Sequence, residues 1–398
     1  MIVSIKKGTL NGKIKVPPSK SYAHRYLIGE ALSLKGKVSN IDYSKDIDAT
    51  ISCLKSLGIS FIKRFDSIEF LGMDKSSASY TFDCLESAST LRFFIPISLV
   101  FTNHAKFIGM QRLIERGISE YENSFIDKGI KIKKGFNYIE LDGSLKPGVY
   151  TLNGNVSSQF ISGLLFSLPL LNGDSRIDIV GELESFPYVK MTMDVLKKYG
   201  IDILFEANSF FINGGQKYTE TYPIIEGDYS NAAFLDAYNY LGSSIELEGL
   251  NKTSIQGDTK YKNFFDELNE SYKEINIKNN IDLGPVLIAF SSLKSGAKLI
   301  GTKRLKIKES RRDEAMMKEL KKIGIDIKIL DDSIIIPKYN GNHKYIEFDS
   351  HNDHRVLMSL CLFSSLMDLK IINAECVNKS YPNFFNDLIK LGLDVKVE

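Results

Sequence analysis

Val195-Leu-Lys-Lys-Tyr-Gly200-Ile-Asp-Ile and Glu319-Leu-Lys-Lys-Ile-Gly324-Ile-Asp-Ile are two copies of one pattern: a basic helical end, a glycine, then an apolar alternation. A helix ends at glycine because the closing residue takes a left-handed conformation that a side chain disfavours, and the alternation that follows reads as a strand. The pattern recurs as Leu54-Lys-Ser-Leu-Gly58-Ile, Phe125-Ile-Asp-Lys-Gly129-Ile and Asp387-Leu-Ile-Lys-Leu-Gly392-Leu-Asp-Val. Its glycines lie 71, 71, 124 and 68 residues apart, and the long interval holds helix-like Phe264-Phe-Asp-Glu-Leu-Asn-Glu-Ser-Tyr near its middle. Six units are implied, one of them degenerate.

Helix starts keep the same phase. Ser19 follows Pro17-Pro18, Ser87 opens Ser-Ala-Ser-Thr-Leu-Arg92, and Ser157 opens Ser-Ser-Gln-Phe. In the second half the comparable starts are Asp228-Tyr-Ser-Asn231, Asp282-Leu-Gly-Pro285 and Asn352-Asp-His-Arg355. Each is a good cap, so taken singly each reads as helix architecture. Repeated six times around common axes, the starts would point free N–H groups and partial positive charge at equivalent places, which predicts a focused anion site. Strands such as 13–16 and 333–336 alternate with amphipathic helices, giving an α/β class. The pattern breaks near 218–228, dividing the chain into two halves of three units.

The chain has 398 residues, with 51 basic residues against 49 acidic ones and a formal charge of +2. That balance gives no bias toward nucleic acid or an anionic membrane and favours a small-molecule partner. Cys53, Cys84, Cys361 and Cys376 form no CxxC pair, and the five histidines show no HxH or HExxH spacing, so no metal site is expected. The apolar stretches 160–171 and 356–367 fall short of the roughly 18 residues a spanning helix needs and read as buried helices. The first residues alternate like a strand and lack an export signal, so a cytoplasmic location is expected. GxGxxG, GxxxxGK[ST] and GxSxG sequences are absent, which removes the usual nucleotide-binding and serine-hydrolase signatures.

Three charged groupings stand out. Lys20, Ser21 and Arg25 occupy the first turn and a half after Ser19, where a phosphate could use all of them, although solvent-facing charge is the plain alternative. Arg92 lies just inside the Ser87 helix, and Arg116 belongs to a charged connector. Lys303-Arg-Leu-Lys-Ile-Lys308-Glu309-Ser-Arg-Arg312 is a basic run with one embedded carboxylate, the composition of a proton donor or acceptor in a polyanion site or of a solvated helix entrance. Asp353-His354-Arg355 sets three ionisable groups at the mouth of an apolar helix.

Pro18-Ser-Lys20-Ser21-Tyr-Ala-His-Arg25, Glu86-Ser-Ala-Ser-Thr-Leu-Arg92, Ser157-Ser158-Gln159-Phe, Ser185-Phe-Pro-Tyr188, Glu226-Gly-Asp-Tyr-Ser, Asp282, Lys308-Glu309-Ser-Arg-Arg312, Asn352-Asp-His-Arg355 and Lys379-Ser-Tyr-Pro-Asn-Phe-Phe occur in that order. Together they resemble the 5-enolpyruvylshikimate-3-phosphate synthase family of enolpyruvyl transferases. The resemblance implies transfer of the enolpyruvyl group of phosphoenolpyruvate to the 5-hydroxyl of shikimate 3-phosphate, releasing phosphate, on the way to chorismate and aromatic amino acids. It implies no cofactor. The implied fold is an inside-out α/β barrel in two similar domains, each a three-fold repeat of βαβαββ units with helices inside. We expect residues 15–221 to form one domain and residues 1–14 with 222–398 the other.

By the same resemblance, shikimate 3-phosphate meets Lys20, Ser21, Arg25, Ser157, Ser158, Gln159, Ser185, Tyr188, Asp282 and Lys308. Phosphoenolpyruvate meets Lys20, Ala88, Arg92, Arg116, Gln159, Arg312, Arg355 and Lys379. Asp282 is the candidate base for the attacking hydroxyl, and Glu309 or Lys20 the acid for the methylene carbon. Each substrate carries a carboxylate and a phosphate, so concentrated positive charge is needed despite the neutral total. The helix entrances are expected to meet in one interdomain cleft that closes on the substrates. A monomer without nucleic-acid or membrane partners is expected.

Two positions depart from the family pattern. Many members have glycine where this chain has Ala88, whose methyl group would narrow the phosphoenolpyruvate pocket. Some have asparagine where this chain has Arg304. Two other readings compete. The related transferase acting on UDP-N-acetylglucosamine usually has a cysteine in the loop before the equivalent of Arg116, and residues 109–115 hold none. A non-catalytic polyanion-binding protein, for RNA for example, would need an aromatic-interleaved basic patch.

Overall fold

The computed structural model describes all residues, Met1–Glu398. The chain divides into two compact units, Pro18–Glu226 and Met1–Pro17 with Gly227–Glu398. The crossings thus fall at 17/18 and 226/227, a few residues beyond the expected 14/15 and 221/222. Each unit has its own apolar core.

In the Pro18–Glu226 unit the second and third repeats are complete. Thr81–Asp83 pairs in parallel with His104–Ile108 across the helix Ala88–Phe101, and Tyr138–Asp142 and Lys131–Lys134 complete that sheet antiparallel. Gly148–Asn153, Ser175–Val180, Ser209–Ile212 and Ile203–Glu206 repeat the arrangement around the helix Ser158–Ser167. This is the βαβαββ unit. The first repeat has Gly36–Ser39, Ser67–Met73 and Ile59–Lys63, and lacks an opening strand of its own. The returning segment fills that place: Ser39 bridges Ile224 in parallel and exchanges backbone bonds with Pro223 and Ile225.

The other unit is circularly closed. Asn11–Lys15 is the opening strand of the fourth repeat and pairs in parallel with Ser244–Glu248. Val3–Ile5 lies between Asp368–Ile372 and Val395–Val397 and so completes the sixth. The fifth, with Lys273–Asn276, Ala297–Ile300, Ser333–Ile336 and Lys328–Ile329, is complete. The fourth is the degenerate one: its second helix, Tyr261–Glu270, leads directly to the fifth repeat with no hairpin between. The five pattern glycines, Gly58, Gly129, Gly200, Gly324 and Gly392, all have positive φ.

In every complete repeat the first helix is buried on most of its circumference, because its sequence is apolar nearly all round. Ala88–Phe101 is one, Ser158–Ser167 another, and the two pack together. Gly163 permits their approach: a Cβ there would stand 2.5 Å from the Arg92 carbonyl oxygen and 2.3 Å from Tyr121 Oη. The stretches 160–171 and 356–367 are buried along most of their length, with Leu366 exposed, and each is a short α-helix running into a 3₁₀ turn. No helix is long and apolar enough to cross a membrane. The charged connector 111–117 turns out to be a short helix, Gln111–Glu115, ending at Arg116.

Candidate functional site

Five of the six helix starts cap themselves as expected. Ser19 accepts the Tyr22 N–H, Ser87 the Thr90 N–H, Ser157 the Gln159 N–H, Asp228 the Asn231 N–H and Asp353 the Arg355 N–H. Asp282 is the exception. It sits in a 3₁₀ turn, Ile281–Leu283, ahead of the helix Gly284–Leu293, and its carboxylate faces cations instead of capping.

Those cations come from three elements. Arg312 Nη1 donates to Asp282 Oδ1 at 2.9 Å, Lys308 Nζ lies 3.1 Å from the same oxygen, and Arg355 Nη2 lies 3.6 Å from Oδ2. Arg355 also donates to the Asp282 carbonyl at 3.0 Å. Arg312 Nη2 reaches Glu309 Oε2 at 2.7 Å, and Lys379 Nζ stands 3.9 Å from Glu309 Oε1. Arg312 is only 1% exposed. A charge so deep survives only because Asp282, Glu309 and Asp353 surround it.

Charge and burial compete here. Burial pushes the Asp282 carboxyl up, but Arg355, Lys308 and Arg312 outweigh it and hold the group well below the usual carboxylate range. Burial pushes the Lys308 ammonium down to about 8; Arg312 and Arg304 act the same way, against Asp282 and Glu309. Arg312 is raised despite its burial by its three carboxylates, Asp353 foremost. The basic run read as a charged helix entrance is therefore divided: Arg304 and Arg312 are buried, Lys308 and Glu309 are partly so, and Lys303 and Arg311 face solvent. Arg304, close enough to act on Lys308, donates to the Lys278 carbonyl.

The Pro18–Glu226 unit holds a second grouping. Lys20 Nζ pairs with Asp46 Oδ2 at 2.8 Å. Arg92 Nη1 donates to Gln159 Oε1 at 2.8 Å and approaches Ser157 Oγ at 3.4 Å, while Nη2 reaches the Gly117 carbonyl next to Arg116. Gln159 in turn donates to Ser89 Oγ at 2.8 Å. The Arg92 guanidinium lies over the Phe160 ring. Ala88, the first helical residue after Ser87, borders this group and is buried.

Arg25 is not the solvent-facing charge that spacing allowed. It is buried, and it donates from Nε to Thr192 Oγ1, from Nη1 to the Ser21 carbonyl and from Nη2 to the Tyr188 carbonyl. Burial pushes its guanidinium down to about 10. Ser185 starts the helix Phe186–Lys198 with φ +55°, a conformation that costs a serine on the order of 1 kcal/mol. Ser158 is buried at the first position of its helix.

Sequence reading assigned no role to Asp46 and only a helix-capping one to Asp353, the carboxylates that hold Lys20 and Arg312. Asp353 lies inside a quoted motif, and its place before an apolar helix was the available signal. Asp46 had only its place in the first turn of the helix Lys45–Ser56.

Comparison with known proteins follows the same lines. Residues 5–388 match the family model for EPSP synthase (3-phosphoshikimate 1-carboxyvinyltransferase). The 3-phosphoshikimate 1-carboxyvinyltransferase of Clostridium perfringens is 41% identical, covering 98% of both chains, and that of Clostridium novyi is 39% identical over 98% of this chain and 97% of its own. Among solved structures, EPSP synthase from Acinetobacter baumannii superposes with a TM-score of 0.79 at 22% identity, covering 100% of each chain. The enolpyruvyl transferase NikO from Streptomyces tendae gives a TM-score of 0.74 at 12% identity, over 99% of this chain and 98% of that one.

Proposed function

The chain belongs to the EPSP synthase family, and from that premise we propose how its residues divide the work of the reaction. It is a 3-phosphoshikimate 1-carboxyvinyltransferase. It transfers the enolpyruvyl group of phosphoenolpyruvate to the 5-hydroxyl of shikimate 3-phosphate and releases phosphate, in aromatic amino-acid biosynthesis.

In our reading, Lys20, Ser21, Arg25, Ser157, Ser158, Gln159, Ser185, Tyr188, Asp282 and Lys308 hold shikimate 3-phosphate. Lys20, Ala88, Arg92, Arg116, Gln159, Arg312, Arg355 and Lys379 receive phosphoenolpyruvate. The observation that carries this reading is the buried group of Lys308, Arg312, Arg355 and Lys379 around Asp282 and Glu309. Four cations against Asp282, Glu309 and Asp353 leave a net positive charge, which suits ligands that bring their own negative charge.

Catalysis then starts with an exchange of partners. The incoming phosphate and carboxylate groups draw Lys308 and Arg355 away from Asp282. Losing that positive company raises the carboxylate's basicity, so Asp282 takes the 5-hydroxyl proton as the oxygen attacks C2 of phosphoenolpyruvate. Glu309 or Lys20 protonates the methylene carbon, giving a tetrahedral adduct. The adduct loses phosphate and returns the proton from that carbon, restoring the double bond. The reading extends to a monomeric cytoplasmic enzyme: every residue in the scheme comes from one chain, and multiply charged substrates do not cross a membrane unaided.

A phosphate-release assay with phosphoenolpyruvate and either shikimate 3-phosphate or UDP-N-acetylglucosamine tests this. Turnover is expected with the first acceptor alone. Turnover with the second would overturn the assignment, and salt-sensitive RNA binding without phosphate release would favour a polyanion-binding protein.

A further inference from the structure

His24 stands one helical turn after Lys20 and is 1% exposed. Its Nδ1 lies 2.7 Å from Thr50 Oγ1, which lies 2.8 Å from Thr90 Oγ1. Thr90 donates its hydroxyl to Ser87 Oγ at 2.7 Å, and the same oxygen caps the helix Ala88–Phe101 by accepting the Thr90 N–H. His24 Nε2 is buried and has no partner. Burial pushes the imidazole down to about 3, with Lys20 and Arg25 adding to the fall against Asp46, so the ring is neutral and carries one N–H.

A buried N–H without an acceptor is costly, which places the single proton on Nδ1, facing Thr50. Each hydroxyl has one proton to give, so the direction of every bond follows: His24 to Thr50, Thr50 to Thr90, Thr90 to Ser87. The chain of bonds joins three helices. The first carries Lys20, and the second carries Asp46, which holds the Lys20 ammonium and whose carbonyl lies 3.5 Å from Thr90 Oγ1. The third starts with Ala88 and holds Arg92 one turn in.

We propose that His24 is a positioning residue: through Thr50 and Thr90 it fixes the Ser87 helix entrance against Lys20 and so sets how tightly the anionic groups of phosphoenolpyruvate are held. The inference rests on the family reading above. The relay is made of neutral groups and acts through geometry alone. That matters because a displacement of about 1 Å at a binding constellation can cost on the order of 100-fold. Lys20 serves both substrates, but Ala88 and Arg92, which the relay holds through Ser87 and Thr90, serve phosphoenolpyruvate alone, so the larger effect should fall on phosphoenolpyruvate.

The test uses His24→Leu, His24→Asn and Thr90→Val in the full chain, with steady-state kinetics for both substrates. Asparagine carries an amide N–H where Nδ1 stands; leucine does not. His24→Leu and Thr90→Val are expected to raise the KM for phosphoenolpyruvate about tenfold, with the KM for shikimate 3-phosphate and kcat within about threefold. His24→Asn should recover most of the loss. The double variant His24→Leu with Thr90→Val should be no worse than the more impaired single one, since both cut one chain of bonds. Lowered melting temperatures with both KM values unchanged, or equal damage from leucine and asparagine, would overturn the proposal. Thr90→Val removes one hydroxyl at constant shape and decides the matter alone if His24→Leu does not fold. A wild-type chain that releases no phosphate from either substrate pair would overturn the functional reading instead, an outcome the variants cannot mimic.

Discussion

Arg312 donates from Nε to Asp353 Oδ2 at 2.8 Å, with the two side chains 1% and 0% exposed. The same carboxylate accepts the Arg355 N–H at 2.9 Å and the Ser310 hydroxyl at 3.1 Å. One buried anion thus anchors the Lys308–Arg312 loop and caps the helix that presents Arg355. Removing one partner of a buried pair costs about 3–5 kcal/mol, and Asp282 and Glu309 soften that by still facing Arg312. Asp353→Ala is therefore expected to lower the unfolding free energy by about 3 kcal/mol in urea titrations. Asp353→Asn should lose less, because the amide oxygen still caps. A loss below about 1 kcal/mol for the alanine variant would show that the anchor is dispensable.

Lys308 gives the pH dependence. Its ammonium value in the folded state, about 8, lies below the ordinary 10.5. Protonation is thus easier in the unfolded chain, and the group's contribution to stability is lowest below pH 8 and recovers as pH rises toward 10.5. Binding runs the other way, since only the ammonium pairs with a phosphate. The kcat/KM for shikimate 3-phosphate should fall above about pH 8. Lys308→Arg should carry that limb to higher pH, because a guanidinium keeps its charge. A limb that stays in place in the variant would belong to another group.

Gly163 ties core packing to the site. Its missing side chain lets the helix Ser158–Ser167 lie against the Arg92 carbonyl, and that closeness puts Gln159 within 2.8 Å of the Arg92 guanidinium. Gly163→Ala forces overpacking, expected to cost about 1–3 kcal/mol. It should also weaken phosphoenolpyruvate binding more than shikimate 3-phosphate binding. Thermal unfolding and the two KM values, measured together, check both halves.

The division into six α/β units in two halves was legible because cap-like helix starts recur six times and glycine stops five, mostly about 70 residues apart, while the βαβαββ unit came with the family resemblance. What the repeats could not show is where a missing strand comes from. Val3–Ile5 pairs with Asp368–Ile372, nearly the whole chain away, and Asn11–Lys15 with Ser244–Glu248, more than half the chain away, and strand pairing at such separation leaves no local mark. The candidate site was legible in its cations and in Asp282 and Glu309, and dim in the carboxylates that hold Lys20 and Arg312. Lysine and arginine in a helix's first turn contradict the helix dipole and so stand out, whereas Asp46 and Asp353 sit where acidic residues are ordinary. For Arg25 the sequence left phosphate binding and surface charge both open, because its partners Thr192 and Tyr188 lie more than 160 residues on.

Ala88, where the family resemblance leads us to expect glycine, is buried at the first turn of the helix that carries Arg92. We expect glyphosate, taken as a slightly longer occupant of the proposed phosphoenolpyruvate pocket, to be excluded by the methyl group more than the substrate is. Ala88→Gly is expected to lower the glyphosate inhibition constant about tenfold or more, in line with a steric difference of one methyl group. Equal constants before and after the change would discard the idea.

Asp282 is the sharpest test of the chemistry. Its carboxylate keeps about a fifth of its surface exposed, at 21%, and balances Lys308, Arg312 and Arg355. If it were only a counter-ion, Asp282→Asn would unbalance those cations, lower stability and, by freeing them, tighten the binding of anionic substrates. If it takes the hydroxyl proton, the amide variant binds both substrates and stalls, because an amide cannot accept that proton at neutral pH. General base catalysis is worth about 10²–10⁴ in rate. The expected result is therefore a kcat lowered by at least about 100-fold with KM values unchanged or reduced, and a melting temperature within a few degrees of wild type. A kcat within threefold of wild type would remove the proton-accepting role and leave Asp282 as a counter-ion, and the base would have to be sought elsewhere in the same cluster, with Glu309→Gln as the next variant to measure.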